Sequence, residues 1–388
     1  MFDVLTLNSI SPKIKKQLTE DRFSISAEKE NPDAVVVRSF NMHETVLGDN
    51  LKAIARAGAG VNNIPVDSCT EKGIVVFNTP GANANAVKEL VLCTMLMASR
   101  NVLDSIDWVS TLKGGGDAVV KDVEKRKGQF VGHELKGKTL GVIGLGAIGS
   151  LVAQTGLDLG MDVLGCDPHL TVHAALHLPN SVEVVADENE LIKNSDIISV
   201  HIPLNAETKG KFGEAFLSRC KSGVIILNMS RAEIADAEAM KKALDSGKVA
   251  KYVCDFPTDE FIGYKNTILT PHLASGTYEA EDNCAVMAAA QLRDYLVFGN
   301  IKNSVNFPEC SLGYPESADR LCVFHENKPN LLQQITNLIS SEGINIDNMI
   351  SKAKGNIAYT MLDVGEKANE ALLSKIAEVE GVVRVRKI

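Results

Sequence analysis

The run Thr139-Leu-Gly-Val-Ile-Gly-Leu-Gly-Ala-Ile-Gly149 constrains this chain more than any other segment, because an apolar strand turns through Gly144, Gly146 and Gly149 directly into a helical pattern. In that spacing the first glycine permits a tight turn, the second lets a pyrophosphate approach the backbone, and the third lets helix pack on strand. The free N–H groups of the helix N-terminus then face the anion. The surroundings agree. Ala147 and Ile148 open a helical period that runs to Leu159, Gly160 stops it, and Asp162-Val-Leu-Gly-Cys-Asp167 reads as a second strand ending in an acid. Asp167 stands where a ribose 2′-hydroxyl would be held, which predicts NAD rather than NADP. The alternative is that Asp167, which precedes Pro168, only starts a turn.

Charge limits what else the chain can bind. A formal net charge of -9 disfavours nucleic acid or an anionic membrane as partner, so an anionic substrate would need a locally basic pocket. No apolar stretch approaches the roughly twenty residues of a membrane helix, and Met1-Phe-Asp-Val-Leu5 reads as a first strand rather than a signal peptide. A cytoplasmic protein is expected. Cysteines 69, 93, 166, 220, 254, 284, 310 and 322 form no Cys-x-x-Cys pair, which argues against a zinc site or a disulfide framework and for small buried hydrophobes.

The 388 residues suffice for two or three domains. Short apolar strands at 3–7, 34–37, 53–56 and 75–78 suggest a small parallel α/β unit, and the helix Ala86 to Ser99 should connect it to the nucleotide domain. Strands recur at 197–200, 223–228, 252–255 and 267–269, so a doubly wound sheet follows. A long helix, 280–298, would return the chain to the first unit. This predicts a discontinuous first domain (1–89 and 286–307), a nucleotide domain (90–285), a linker of Pro, Gly and Ser composition (308–317) and a third domain (318–388). The third carries a βαββαβ pattern, the ferredoxin-like plan.

Three segments after the glycine motif each end a strand with a reactive group. Asn228-Met-Ser-Arg231 places Arg231 at the carboxyl end of the sheet, where a guanidinium grips a carboxylate bidentately; otherwise it is a surface arginine. Cys254-Asp-Phe-Pro-Thr-Asp-Glu260 offers carboxylates, and Thr270-Pro-His272 a histidine. A carboxylate fixing the tautomer of His272 would make an acid/base pair, against the alternative of a satisfied core histidine. His169, His173 and His177 would share a helix face, but no carboxylate or cysteine completes a metal set, so no metal is expected.

Together these segments resemble the D-isomer-specific 2-hydroxyacid dehydrogenase family over about the first three hundred residues. The resemblance implies an α/β protein of two doubly wound parallel-sheet domains, a discontinuous substrate domain and a Rossmann NAD domain. It also implies that Arg231 binds and polarises the substrate, that Glu260 (or the adjacent Asp259) supports His272, and that His272 takes the hydroxyl proton while hydride passes to NAD. NAD contacts are implied at His201, Ile202, Pro203, Met229, Ser230, Asp255 and Ala274, with Asp255 near the nicotinamide carboxamide; the loop Ala274-Ser-Gly-Thr277 departs from the family's usual Gly-Ala/Gly-Ser-Thr.

Val37-Arg-Ser39, Arg56-Ala-Gly-Ala-Gly-Val-Asn-Asn63 and Asn78-Thr-Pro-Gly-Ala-Asn83 look most like family members that oxidise 3-phospho-D-glycerate to 3-phosphohydroxypyruvate, the first step of serine biosynthesis. Arg38 and Arg56 would then meet the phosphate, Gly58, Ala59 and Gly60 the carboxylate, with Asn83 alongside. Lys88 either adds to that field or is a solvated helix residue. The alternatives are an unphosphorylated acid such as glycerate, glyoxylate or hydroxypyruvate, and a non-catalytic NAD sensor. The C-terminal segments Leu321-Cys-Val-Phe-His-Glu-Asn-Lys-Pro329 and Gly343-Ile-Asn-Ile346 resemble the ACT domain, which implies an amino-acid effector such as serine at His325, Asn327 and Asn345. Asn330 replaces a glycine of that motif. The family implies a homodimer, with 101–127 as the arm and Lys125, Arg126 and Lys127 reaching the neighbouring site; ACT pairing would extend it to a tetramer.

Overall fold

The computed structural model covers residues 1–388, and all are described except the side chains of Val172, His173 and His177. The chain divides into two compact units, 84–277 and the pair of segments 1–83 with 278–388.

The 84–277 unit holds seven parallel strands in the order Thr267–Leu269, Val249–Cys254, Val224–Asn228, Ile197–Val200, Thr139–Ile143, Asp162–Cys166, Glu183–Val184. The order reverses between Ile197–Val200 and Thr139–Ile143, and ligands of such sheets bind at the carboxyl ends beside that reversal. The central strands are buried on both faces, which is why they read as continuous Ile, Val and Leu runs rather than alternating ones. The two-residue strand Glu183–Val184 has no such run, and the sequence pattern misses it. Helix Ala84–Arg100 packs its buried Val87, Val91, Met95 and Ala98 into this core.

The other unit begins with five parallel strands in the order Phe23–Ser26, Phe2–Leu7, Ala34–Val37, Ala53–Arg56, Val75–Phe77. Phe23–Ser26 is an addition to the expected set, since Phe-Ser-Ile-Ser offers only two apolar residues. Helix Tyr278–Phe298 covers this sheet with Ala285, Ala288, Ala289, Leu292 and Tyr295.

The C-terminal segment has the expected βαββαβ order, and its antiparallel sheet runs Ile346–Lys354, Ile357–Val364, Asp319–Glu326, Val382–Lys387. It does not stand apart from the first sheet. Strand Asp319–Glu326 is apolar on both faces: Leu321 and Val323 meet the segment's own helices, while Cys322 and Phe324 join a core with Phe77, Tyr295 and Phe307. Burying both faces excludes water from the junction and favours one continuous core. Residues 308–317, linker-like in composition, are held down: Cys310 pairs main chain with Ile301, and the Leu312 N–H donates to Asn300 Oδ1 at 3.1 Å. Fully buried Arg320 donates to Asp363 and to the carbonyls of Phe298, Leu312 and Gly313, so its charge is paired and its donors are used.

Seven of the eight cysteines are buried, and burial pushes the Cys69 thiol up to about 12 and Cys220 up to about 11. Among the described residues, no helix is long and apolar enough to cross a membrane.

Candidate active site

The glycine motif has the geometry its spacing requires. Gly144 has φ +89°, and a Cβ there would lie 2.5 Å from the His201 carbonyl oxygen. At Gly149 a Cβ would lie 1.8 Å from the Gly144 carbonyl oxygen, so that glycine brings helix onto turn. A Cβ at Gly146 would meet nothing within 4 Å. Gly146 caps helix Ala147–Asp158 and leaves an open approach to its N-terminal N–H groups, which fits a pyrophosphate. Asp167 is half-buried beside the turn, accepting from the Leu145 N–H at 2.9 Å through one oxygen and from the His169 N–H through the other. The turn and its acid are therefore one hydrogen-bonded unit.

Around the sheet's carboxyl edge, the His201 N–H donates to Ile143 O, and its Nε2 lies 2.8 Å from Ser199 Oγ. Burial pushes this imidazole down to about 3. Ile202 flanks Gly144, and Pro203 is exposed with its carbonyl bound by the Thr208 hydroxyl. Buried Asn228 shapes the next turn by donating to Arg231 O and accepting from the Ser230 N–H, while Met229 is buried and Ser230 Oγ donates to Val200 O.

Arg231 and His272 both neighbour Phe256. The Arg231 guanidinium lies 4.9 Å from the centroid of the Phe256 ring, and His272 also neighbours that ring, at 4.5 Å between centroids. Phe256 was legible only as the middle of Asp-Phe-Pro; nothing in the sequence marks it as the platform between cation and imidazole. His272 itself takes a left-handed backbone, φ +54°, and its N–H donates to Asp255 O at 2.8 Å. Non-glycine residues rarely hold that conformation unless the surroundings impose it.

Asp255 imposes it. Its carboxylate, expected near the nicotinamide carboxamide, is fully buried and accepts from Thr270 Oγ1 at 2.6 Å, Leu273 N at 2.7 Å and Ala274 N at 2.8 Å. It positions the loop that presents His272. Glu260 and Asp259 are both exposed. The Glu260 carboxylate is held below the usual range by its own N–H, by the Thr258 hydroxyl and by Lys241.

In the other unit, Val37 and Arg56 are register partners on adjacent strands, so Arg38 and Arg56 leave the same sheet edge together. Arg56 Nε donates to Arg38 O at 3.2 Å, and the Arg56 guanidinium lies over Gly58, where a Cβ would be 2.0 Å from Nη1. Arg38 forms an ion pair with Glu281 at 2.7 Å. Thr79 N donates to Gly58 O and Asn78 Nδ2 to Ala59 O, which fixes the Gly58–Gly60 turn; Asn83 is half-buried just before helix Ala84–Arg100. Lys88 lies 3.9 Å from Glu89, a weak surface pair.

In the C-terminal segment, His325 is buried with Nδ1 at 2.7 Å from Glu326 O and Nε2 at 2.8 Å from Thr360 Oγ1, and burial lowers its pKa. Asn327 donates to Gly355 O and Asn345 to Asp347. Asn330 has φ +68°, a conformation that explains a glycine preference and that asparagine tolerates best among other residues. His173 and His177 of the histidine face lie outside the described residues, and no group of three or more metal-ligating side chains occurs among those described.

Residues 92–274 match the D-isomer specific 2-hydroxyacid dehydrogenase, NAD binding domain, and residues 321–384 the AHAS small subunit-like ACT domain. A D-3-phosphoglycerate dehydrogenase of Haemophilus influenzae is 33% identical over 84% of this chain and 78% of its own length. The chain belongs to the D-isomer-specific 2-hydroxyacid dehydrogenase family. Its Rossmann domain is an NAD-binding domain, in agreement with the open cradle at Gly146. The enzyme of the same name from Archaeoglobus fulgidus is 33% identical over 79% of this chain, which spans only 57% of that longer protein. Among solved structures, NAD+-bound 3-phosphoglycerate dehydrogenase of Entamoeba histolytica superposes with a TM-score of 0.61 at 27% identity, covering 79% of this chain and 98% of that one.

Proposed function

We propose that this chain oxidises 3-phospho-D-glycerate to 3-phosphohydroxypyruvate with NAD, in the cytoplasm, as the first step of serine biosynthesis. The observation that carries the substrate choice is the pair Arg38 and Arg56 on neighbouring strand ends, a local cationic patch in an acidic protein. Two guanidiniums suit a phosphate dianion.

Arg231 grips the substrate carboxylate and polarises the reacting carbon, and Phe256 holds the guanidinium and the imidazole in fixed relation. His272 accepts the C2 hydroxyl proton as the C2 hydride leaves, with Glu260 or Asp259 supporting the imidazolium. Bound NAD supplies the hydride acceptor. Gly144, Gly146, Ala147, Ile148 and Gly149 receive its pyrophosphate and Asp167 its ribose, while His201, Ile202, Pro203, Met229, Ser230 and Ala274 line the remainder. Gly58, Ala59, Gly60 and Asn83 complete the substrate face.

One observation favours the second reading, an unphosphorylated acid: Arg38 is already paired with Glu281. NADH oxidation with 3-phosphohydroxypyruvate, hydroxypyruvate and glyoxylate decides between them. A large kcat/KM preference for the phosphorylated acid is expected. Equal values would move the substrate to the unphosphorylated class, and NADH binding without turnover would make the chain a sensor.

The enzyme is a homodimer in this reading. Helices Val102–Ser110 and Ala118–Arg126 bury no residue within the chain, although Ile106, Val109 and Val120 are apolar and more than half exposed. Charge reversal at Lys125, Arg126 and Lys127 raises KM if they reach the partner's site. A small amino acid such as serine binds near His325, Asn327 and Asn345, where ACT pairing would give a tetramer.

A further inference from the structure

Strand Val382–Lys387, the end of helix Tyr278–Phe298 and the first parallel sheet border an open cavity of about 440 Å³. Five cationic residues line it, Arg22, Lys52 and, from the one strand, Arg384, Arg386 and Lys387, and among the described residues no aspartate or glutamate does. In a chain of net charge -9 this is a strongly biased wall. Only part of the charge is answered locally. Lys52 is paired with Asp33 at 2.5 Å, and exposed Arg22 lies 3.9 Å from Asp21. Arg384 donates to two main-chain carbonyls, Leu51 O and Asp49 O.

Arg386 is the anomaly. It is only 8% exposed, its guanidinium lies 4.4 Å from the centroid of the Tyr295 ring, and its Nη2 donates to Leu296 O at 3.3 Å. Its Nη1 makes no well-aligned hydrogen bond, nor does the buried Tyr295 hydroxyl, although the two side chains interact with each other. A buried guanidinium without a carboxylate partner is unfavourable, and an anion in the adjoining space would offset that. The two neighbouring arginines also oppose each other: burial first, and then repulsion from Arg386, hold Arg384 below the ordinary arginine value.

We propose that this cavity binds a small anion bearing phosphate or carboxylate groups, at a site separate from the substrate face at Arg38 and Arg56. The bound anion lies against Arg384 and Arg386 of the ACT segment and Arg22 and Lys52 of the first sheet. Ligand there therefore strengthens the attachment of one to the other.

The test uses the full chain carrying Arg38→Ala, Arg56→Ala and Arg231→Ala, with NADH saturating, so that neither the arginines of the substrate face nor the pyrophosphate cradle report. The thermal midpoint is followed against inorganic phosphate and against malonate, with sodium chloride at equal ionic strength as control. At least one anion should raise the midpoint beyond chloride. A response to phosphate alone marks a phosphoryl ligand, and a response to malonate alone marks a dicarboxylate. Arg22→Ala, an exposed change at the rim, should weaken the apparent affinity about threefold or more, and Arg384→Gln further, by removal of one charge contact each. No rise beyond chloride, or an affinity untouched by Arg22→Ala, overturns the proposal.

Discussion

The rings of Phe256 and His272 stand 4.5 Å apart, centroid to centroid, and Phe256 in turn lies beneath the Arg231 guanidinium. An apolar ring thus sets the spacing between the two groups that hydride chemistry would use.

Phe256→Ala should therefore lower kcat by roughly ten- to a hundredfold, the usual effect of a misplaced reacting group, while leaving the NADH dissociation constant unchanged. Phe256→Tyr should restore most of the rate. A wild-type kcat and pH profile in the alanine variant would show that the platform is only packing.

Arg38 is ion-paired with Glu281, so if Arg38 receives the substrate phosphate the two anions compete for it. A half-exposed ion pair is worth about 0–1 kcal/mol, so Glu281→Gln should lower KM for 3-phosphohydroxypyruvate by about two- to fivefold and leave that for hydroxypyruvate alone. A raised KM for the phosphorylated acid would mean that Glu281 orients Arg38 for binding instead.

The three motif glycines should separate by experiment. Gly146→Ala adds a methyl to open space, so the protein should fold with its normal melting temperature yet bind NADH about tenfold or more weakly, because the methyl occupies the anion's approach. Gly149→Ala drives a Cβ into the Gly144 carbonyl and should destabilise the fold itself. Equal melting losses in the two variants would contradict this division.

Stability should also fall on mild acidification. The unfolded His201 imidazole takes up a proton near the ordinary pH of about 6.5, whereas the folded one resists to about 3. The contribution is complete above about 6.5 and declines as pH falls from there toward 3, since only the unfolded state gains the proton. Urea midpoints at about pH 7.5 and 5.5 should diverge more in wild type than in His201→Gln. Equal divergence would show that His201 protonates in the native state.

The nucleotide turn, the parallel strands at 197–200, 223–228, 252–255 and 267–269 and the βαββαβ order are legible in the sequence, because each is written locally in glycine spacing and in runs of apolar residues. The sequence also placed Arg231, Arg38, Arg56 and His272 at strand ends. What those groups touch depended on tertiary structure. Asp255 holds the His272 loop, Phe256 links His272 to Arg231, and Arg38 faces Glu281 from a helix more than two hundred residues away in sequence. The junction of the C-terminal segment was decided in the same way. The two apolar faces of Asp319–Glu326 are visible in the sequence, but only folding selects Phe77, Tyr295 and Phe307 to cover the second face, since burial follows proximity in space and not spacing along the chain.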